Sequence, residues 1–98
     1  MPKGYIHAEV EITDPAEYDK YRPLAAASVA AFGGRYIVRR GDPKVLEGGK
    51  PERLTVVLEF ESRERAEEWY QSPQYKEARE IRFRSANADL VLLTGHDG

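Results

Sequence analysis

Residues 53–60 read Arg-Leu-Thr-Val-Val-Leu-Glu-Phe, and this run decides how the rest of the chain is arranged. It is rich in β-branched and aromatic side chains, and the turn formers Gly48, Gly49 and Pro51 precede it. Side chains alternate along an extended strand, so Leu54, Val56, Leu58 and Phe60 share one face and Arg53, Thr55, Val57 and Glu59 the other. The first face requires a core and the second is partly polar. These residues predict the central strand of a sheet.

Working outward, residues 3–12 alternate in the same way, with Ile6, Ala8, Val10 and Ile12 opposite Tyr5, His7, Glu9 and Glu11, which predicts a second half-buried strand. Asp14, Pro15 and Glu17 form a helix start: a capping carboxylate, a proline whose missing N–H costs nothing at the first turn, and an acid at the capping-box position. The helix is expected to reach about Phe32, with Tyr18, Tyr21, Ala25, Ser28 or Val29, and Phe32 inward. Pro23 removes one donor and predicts a kink or short break. Gly33 and Gly34 end the helix, because glycine accepts a left-handed backbone. Arg35–Arg40 is the next strand. A polar hairpin loop from Lys44 to Glu52 follows, carrying Val45 and Leu46 as an apolar pair suited to tucking back or to extending the strand pairing.

Past the central strand, Ser62 caps a helix that turns Ala66, Trp69 and Tyr70 toward the sheet. Ser72-Pro73 repeats the cap-then-proline signal, so the helix is read as two pieces, the second running to about Arg84 with Tyr75, Ala78, Ile81 and Arg82 inward. Ala88–Thr94 is the last strand, and the Gly-His-Asp-Gly tail is expected to fray. The order βαββαβ gives a ferredoxin-like α+β fold, an antiparallel four-stranded sheet with its two helices on one face. The other face retains Tyr5, Val57, Val91 and Leu93, and a two-fold contact with a second copy covers such a patch most economically, so a homodimer is expected.

The totals fit one domain of 98 residues. There is no cysteine, which excludes disulfides, thiol nucleophiles and thiolate metal sites. The N-terminal residues lack the apolar run of a signal peptide and nothing approaches a membrane span, so a cytoplasmic protein without membrane association is expected. A net charge of −2 with both signs interspersed gives no reason to expect a nucleic-acid partner.

Thr13-Asp-Pro-Ala-Glu-Tyr-Asp-Lys-Tyr21, Gly33-Gly-Arg-Tyr36 with the strand after it, Leu46-Glu-Gly-Gly49, the Glu59-Phe60 strand end, Trp69-Tyr-Gln-Ser-Pro-Gln-Tyr75 and Leu92-Leu-Thr-Gly95 together resemble the bacterial domain of unknown function thirteen-thirty family. The likeness covers nearly the whole chain, and Gly33–Tyr36 and Trp69–Tyr75 are its most specific parts. It implies membership of the dimeric α+β barrel superfamily, whose wider relatives include cofactor-free monooxygenases, muconolactone isomerases, haem-dependent chlorite dismutases and stress-responsive barrel proteins. That breadth implies a small-molecule pocket without naming a reaction.

Three groups of residues are candidates for chemistry. His7, two residues from Glu9 on one strand face with Thr55 and Glu59 as potential neighbours across the sheet, suits a general base tuned by carboxylates; the alternative is a structural hydrogen bond at the dimer face. His96 is the only other histidine, so no multi-histidine metal centre is expected. Arg39, Glu47, Arg53, Glu59 and Arg82 form the second group, in which an arginine directed into an apolar cavity would hold an anion, and charges solvated or paired with each other are the alternative. Helical spacing turns Arg82 inward, where an unpaired charge is costly, and a pair with Glu59 or Glu47 is expected.

The third group is aromatic: Tyr18, Tyr21, Tyr36, Trp69, Tyr70 and Tyr75 either line a pocket for a planar ligand or fill the core. Any pocket is expected where Pro23 and Ser72-Pro73 let helices part from the sheet. No glycine-rich phosphate loop follows a strand, and no serine has a nucleophile's context. The resulting reading is a dimeric barrel protein that binds or transforms a small organic molecule, anionic or aromatic, without a tightly held cofactor. In it, Arg39 or Arg82 holds the anionic group, Tyr21 and Tyr75 orient the ligand, and His7 or Glu59 transfers protons. The rival reading is a non-catalytic dimeric binding or stress-related module, with the charges paired in a dry core.

Overall fold

The computed structural model describes residues 2–48 and 53–96, so the turn residues Gly49 and Pro51, the loop end at Glu52 and the tail end at Asp97 and Gly98 lie outside the described residues. Period-two patterning produces strands β1 (Gly4–Ile12), β2 (Arg35–Val38), β3 (Leu54–Phe60) and β4 (Ala86–Thr94). They form one antiparallel sheet in the order β2-β3-β1-β4, so β3 and β1 are the inner pair. Ile6, Ala8, Val10, Leu58 and Phe60 are buried on one face, the face the alternation assigns to the core. The fold is α+β and ferredoxin-like.

Three helices cover that face: α1 (Pro15–Ala31), α2 (Arg63–Gln71) and α3 (Pro73–Ser85). Each starts where a capping side chain ends an extended segment. The Asp14 carboxylate accepts the Glu17 N–H at 3.2 Å, and the Ser62 hydroxyl accepts the Arg65 N–H at 3.1 Å. The capping box at Asp14 is only half made. The Glu17 carboxylate turns away to Lys20 at 3.1 Å and to Arg84 of α3 at 2.9 Å, while the Asp14 N–H donates to the Ser85 carbonyl.

Ser72 both ends α2 and starts α3. Its hydroxyl donates to the Trp69 carbonyl at 2.8 Å and accepts the Tyr75 N–H at 3.1 Å, serving an orphan acceptor and an orphan donor at one buried residue. Pro23, in contrast, does not break α1, which is continuous from Pro15 to Ala31. Loss of one N–H in a helix held by its neighbours on both sides does not interrupt the ladder. After α1 the two glycines have different tasks. Gly33 takes a positive φ of 74°, and Gly34 admits the Phe60 ring, whose edge lies 2.5 Å from where a Cβ would stand.

The main cluster of the core joins Ile6, Leu58 and Phe60 of the sheet to Ala25 and Val29 of α1, Ala66 and Trp69 of α2, and Tyr75 and Ala78 of α3. A second cluster unites Ala8, Val10, Tyr18 and Ala86. The inner positions expected for α3 include Ile81, but Ser85 is buried in addition and Ile81 only partly so. Val45 and Leu46 do not tuck back: they are 40% and 86% exposed. No helix among the described residues covers the second sheet face, and the Cα trace is a slab of 37 × 36 × 16 Å.

Candidate functional site

Strand β2 contains the irregularity that shapes the site. Tyr36 pairs with Leu58, but Val38 pairs with Val57, so Ile37 is an extra residue in a β-bulge. In a regular strand with no bulge, Arg39, three residues after Tyr36, would fall on the uncovered face. With it, Arg39 returns to the side of Tyr36, and its guanidinium lies 4.5 Å from the Tyr36 ring centroid. Helix α1 supplies a matching pair, Arg22 over Tyr18 at 4.9 Å, with Asp19 3.4 Å from Arg22.

These pairs border a cavity of about 50 Å³ between sheet and helices, room for a few waters or part of a small organic acid. Ala8, Val56, Leu58 and Leu90 give it an apolar floor, and Trp69 and Tyr21 form its inner wall. Arg82 lines it too, at 4% exposure. Among the described residues, no aspartate, glutamate or histidine lines it.

Behind the wall, the Tyr21 and Tyr75 hydroxyls are 2.8 Å apart, and Arg82 Nε donates to the Tyr75 oxygen at 3.3 Å. Arg82 makes no ion pair with Glu59 or Glu47, the partners expected of it. Glu47 is exposed, and Glu59 lies on the opposite sheet face, so phenol oxygens take the place of a carboxylate. The Trp69 indole N–H is consumed by Ser28 Oγ at 3.0 Å, which makes it structural. Burial pushes the hydroxyl of Tyr21 well above the ordinary phenol range, reinforced by Tyr75 beside it, and burial also raises Tyr18 and Tyr36. Phenols so shifted remain protonated at neutral pH and act as hydrogen-bond donors, not bases.

Sequence reasoning therefore named six residues that the fold divides into two sets. Tyr21, Tyr75, Arg39 and Arg82 come together at the cavity, Tyr75 behind the wall and the other three on it. His7 and Glu59 project from the other face of the sheet and do not reach it. His7 lies between Val57 and Val91, and Glu59 accepts from Arg35 at 2.8 Å and from the Tyr5 hydroxyl at 3.1 Å. Thr55 is opposite Glu9 across the sheet, and Arg53 and Glu59 each form an ion pair with another strand, Arg53 with Asp89 at 2.9 Å and Glu59 with Arg35. Arg22 was missed; its position four residues after Tyr18 on one helix face is the signal that would have found it. Among the described residues, no cluster of three His, Asp or Glu side chains is arranged to hold a metal ion, and no helix is long and apolar enough to cross a membrane.

Residues 3–96 match the family model described as domain of unknown function, DUF1330. The chain belongs to the DUF1330 family. Among curated proteins, none matches this DUF1330 chain in sequence. Solved structures share its fold. A protein of unknown function from Rhodopseudomonas palustris is 15% identical with a TM-score of 0.81, covering 99% of this chain and 85% of its own. SnoaB from Streptomyces nogalater, a cofactor-independent oxygenase, is 12% identical with a TM-score of 0.65 over 100% of this chain and 97% of its own. HapK from Hahella chejuensis is 14% identical with a TM-score of 0.64 over 97% and 94%. At such identities the likeness is one of fold.

Proposed function

We propose that this DUF1330 chain binds a small, acceptor-rich organic anion, a carboxylate or enolate on a planar body, in the cavity between sheet and helices. One observation carries the reading: Arg22, Arg39 and Arg82 converge with the phenols of Tyr18, Tyr21 and Tyr36 on an apolar cavity, and no carboxylate among the described residues lines it. Guanidinium groups have only donors to offer, and phenols kept protonated by burial add more. Such a lining is matched by a ligand that brings acceptors and negative charge, with Tyr36, Tyr21 and Trp69 supplying flat surfaces for its body.

Because no side chain at the cavity among the described residues is suited to act as a base at neutral pH, a reaction there proceeds by holding charge on the ligand rather than by abstracting a proton with one of these groups. The fold shared with SnoaB supports a reading in which a bound cofactor is not required. His7 and Glu59 belong to a different task. The uncovered face bears Ile37, Val91 and Leu93 at 42%, 50% and 44% exposure beside the half-buried Tyr5, His7 and Val57, and covering it with a second copy makes the protein a homodimer.

Trp69 is the single tryptophan and faces the cavity, so its fluorescence reports occupancy. Titration with benzoate is expected to change it saturably, titration with benzyl alcohol to have little effect, and Arg39→Gln to weaken benzoate binding about tenfold, the equivalent of one charge-assisted contact. No saturable response to benzoate or to enolisable diketones, or an equal response to the alcohol, would overturn the reading.

A further inference from the structure

The hydrogens of three linked groups, Arg82, Tyr75 and Tyr21, can be assigned by accounting. Tyr75 is fully buried, and its oxygen has two neighbours among the described residues, Arg82 Nε at 3.3 Å and the Tyr21 hydroxyl at 2.8 Å. A guanidinium can only donate, so Tyr75 accepts from Arg82. The Tyr75 hydrogen then has one oxygen in reach, that of Tyr21. The reverse order, Tyr21 donating to Tyr75, would leave a buried O–H without an acceptor, which is costly and rare in folded proteins. Tyr75 therefore donates to Tyr21, and the Tyr21 hydrogen is turned away from Tyr75. Tyr21 itself lines the cavity, and no described residue accepts from it there.

We infer that Arg82, Tyr75 and Tyr21 form a one-way donor chain that delivers the influence of a buried positive charge to the cavity through the Tyr21 O–H, and that the chain selects ligands whose nearest atom is an oxyanion. The inference rests on the anion-site reading and adds the ligand class and the residue that meets it. Accepting from a cation polarises the Tyr75 hydroxyl, which strengthens its bond to Tyr21 and makes Tyr21 a better donor in turn. Tyr75 is thus a positioning residue: it touches Tyr21 and Arg82 and acts on the ligand through them. A weak oxygen acid such as a phenol or an enol is held as its anion, with its proton released to solvent.

The probe is para-nitrophenol, whose phenolate is yellow and whose phenol is not. Bound to the native protein, it is expected to titrate about one pH unit or more below the free dye, a tenfold preference for the anion. The shift is expected to shrink in Tyr75→Phe, where Arg82 remains but the chain is cut, and to shrink further in Tyr21→Phe, where the last donor is gone. Thermal melts establish that the variants fold. If Tyr75→Phe does not, Tyr21→Phe at a half-buried position carries the same test. Bound dye that titrates like free dye, or a full shift retained in Tyr75→Phe or Tyr21→Phe, overturns the donor chain while the anion site stands. Failure of the dye and of benzoate alike to bind overturns both.

Discussion

Arg39 lies over the ring of Tyr36 at 4.5 Å because one residue, Ile37, is bulged out of the strand between them. The bulge converts a strand position that faces away from the helices into one that faces the cavity. Deleting Ile37 is expected to remove the bulge and leave Arg39 two residues after Tyr36, still on the cavity side. Benzoate affinity in that variant should stay well above that of Arg39→Gln, because the guanidinium is still aimed at the cavity. Fluorescence titration of Trp69 checks this, and an affinity as low as that of Arg39→Gln would show that strand register does not aim the arginine.

Trp69 and Ser28 tie α2 to α1 through a buried bond of 3.0 Å, and the serine hydroxyl in turn donates to the Ala25 carbonyl at 2.7 Å. Ser28→Ala leaves a buried indole N–H without an acceptor, so it is expected to destabilise the fold by about 1–3 kcal/mol. Trp69→Phe loses packing as well, including the close approach to Tyr75, whose ring centroid is 4.1 Å away. Urea unfolding measures both. A Ser28→Ala variant as stable as the parent would mean that the indole N–H finds another partner.

The Glu59 carboxylate is held below the ordinary glutamate range, first by its bond to Arg35, against the opposing effect of burial, and then by the Tyr5 hydroxyl. A carboxylate easier to ionise in the folded chain than in the unfolded one adds stability above the unfolded value, about pH 4.3, and that stability disappears as pH falls through the lower folded value. Glu59→Gln should therefore melt below the parent at pH 7, with the gap closing in acid. Melting curves between pH 7 and 3 test the sign. A gap that widens toward acid would contradict it.

The row Val57, His7, Val91 crosses the middle of the uncovered sheet face, with the charged groups Arg35, Glu59, Arg53 and Asp89 toward its two ends. Apolar residues at the centre and pairable charges outside are the usual plan of a protein–protein contact. Sedimentation is expected to give a two-chain mass, and Val91→Glu to give one chain with the fold retained. A parent protein that is monomeric at high concentration would remove the dimer from the proposal.

Much of this molecule is written in short-range patterns. The alternation in Tyr5–Ile12 and in Leu54–Phe60 assigned the buried face, Asp14, Ser62 and Ser72 marked the helix starts, and the spacing of Tyr75, Ala78 and Arg82 turned all three inward. Such features depend on neighbours one to four residues away, which is why the sequence by itself determined the element order, the core face and the inward turn of Tyr75 and Arg82. Partner choice is different in kind. Glu59 takes Arg35 instead of Arg82, and Arg39 faces inward, because of the register between strands far apart in the chain, where a slip of one residue exchanges the two faces. The union of Arg82, Tyr75 and Tyr21 likewise depends on how closely α1 and α3 pack against each other, so only the tertiary structure decided where the charges go and which hydroxyl faces the ligand.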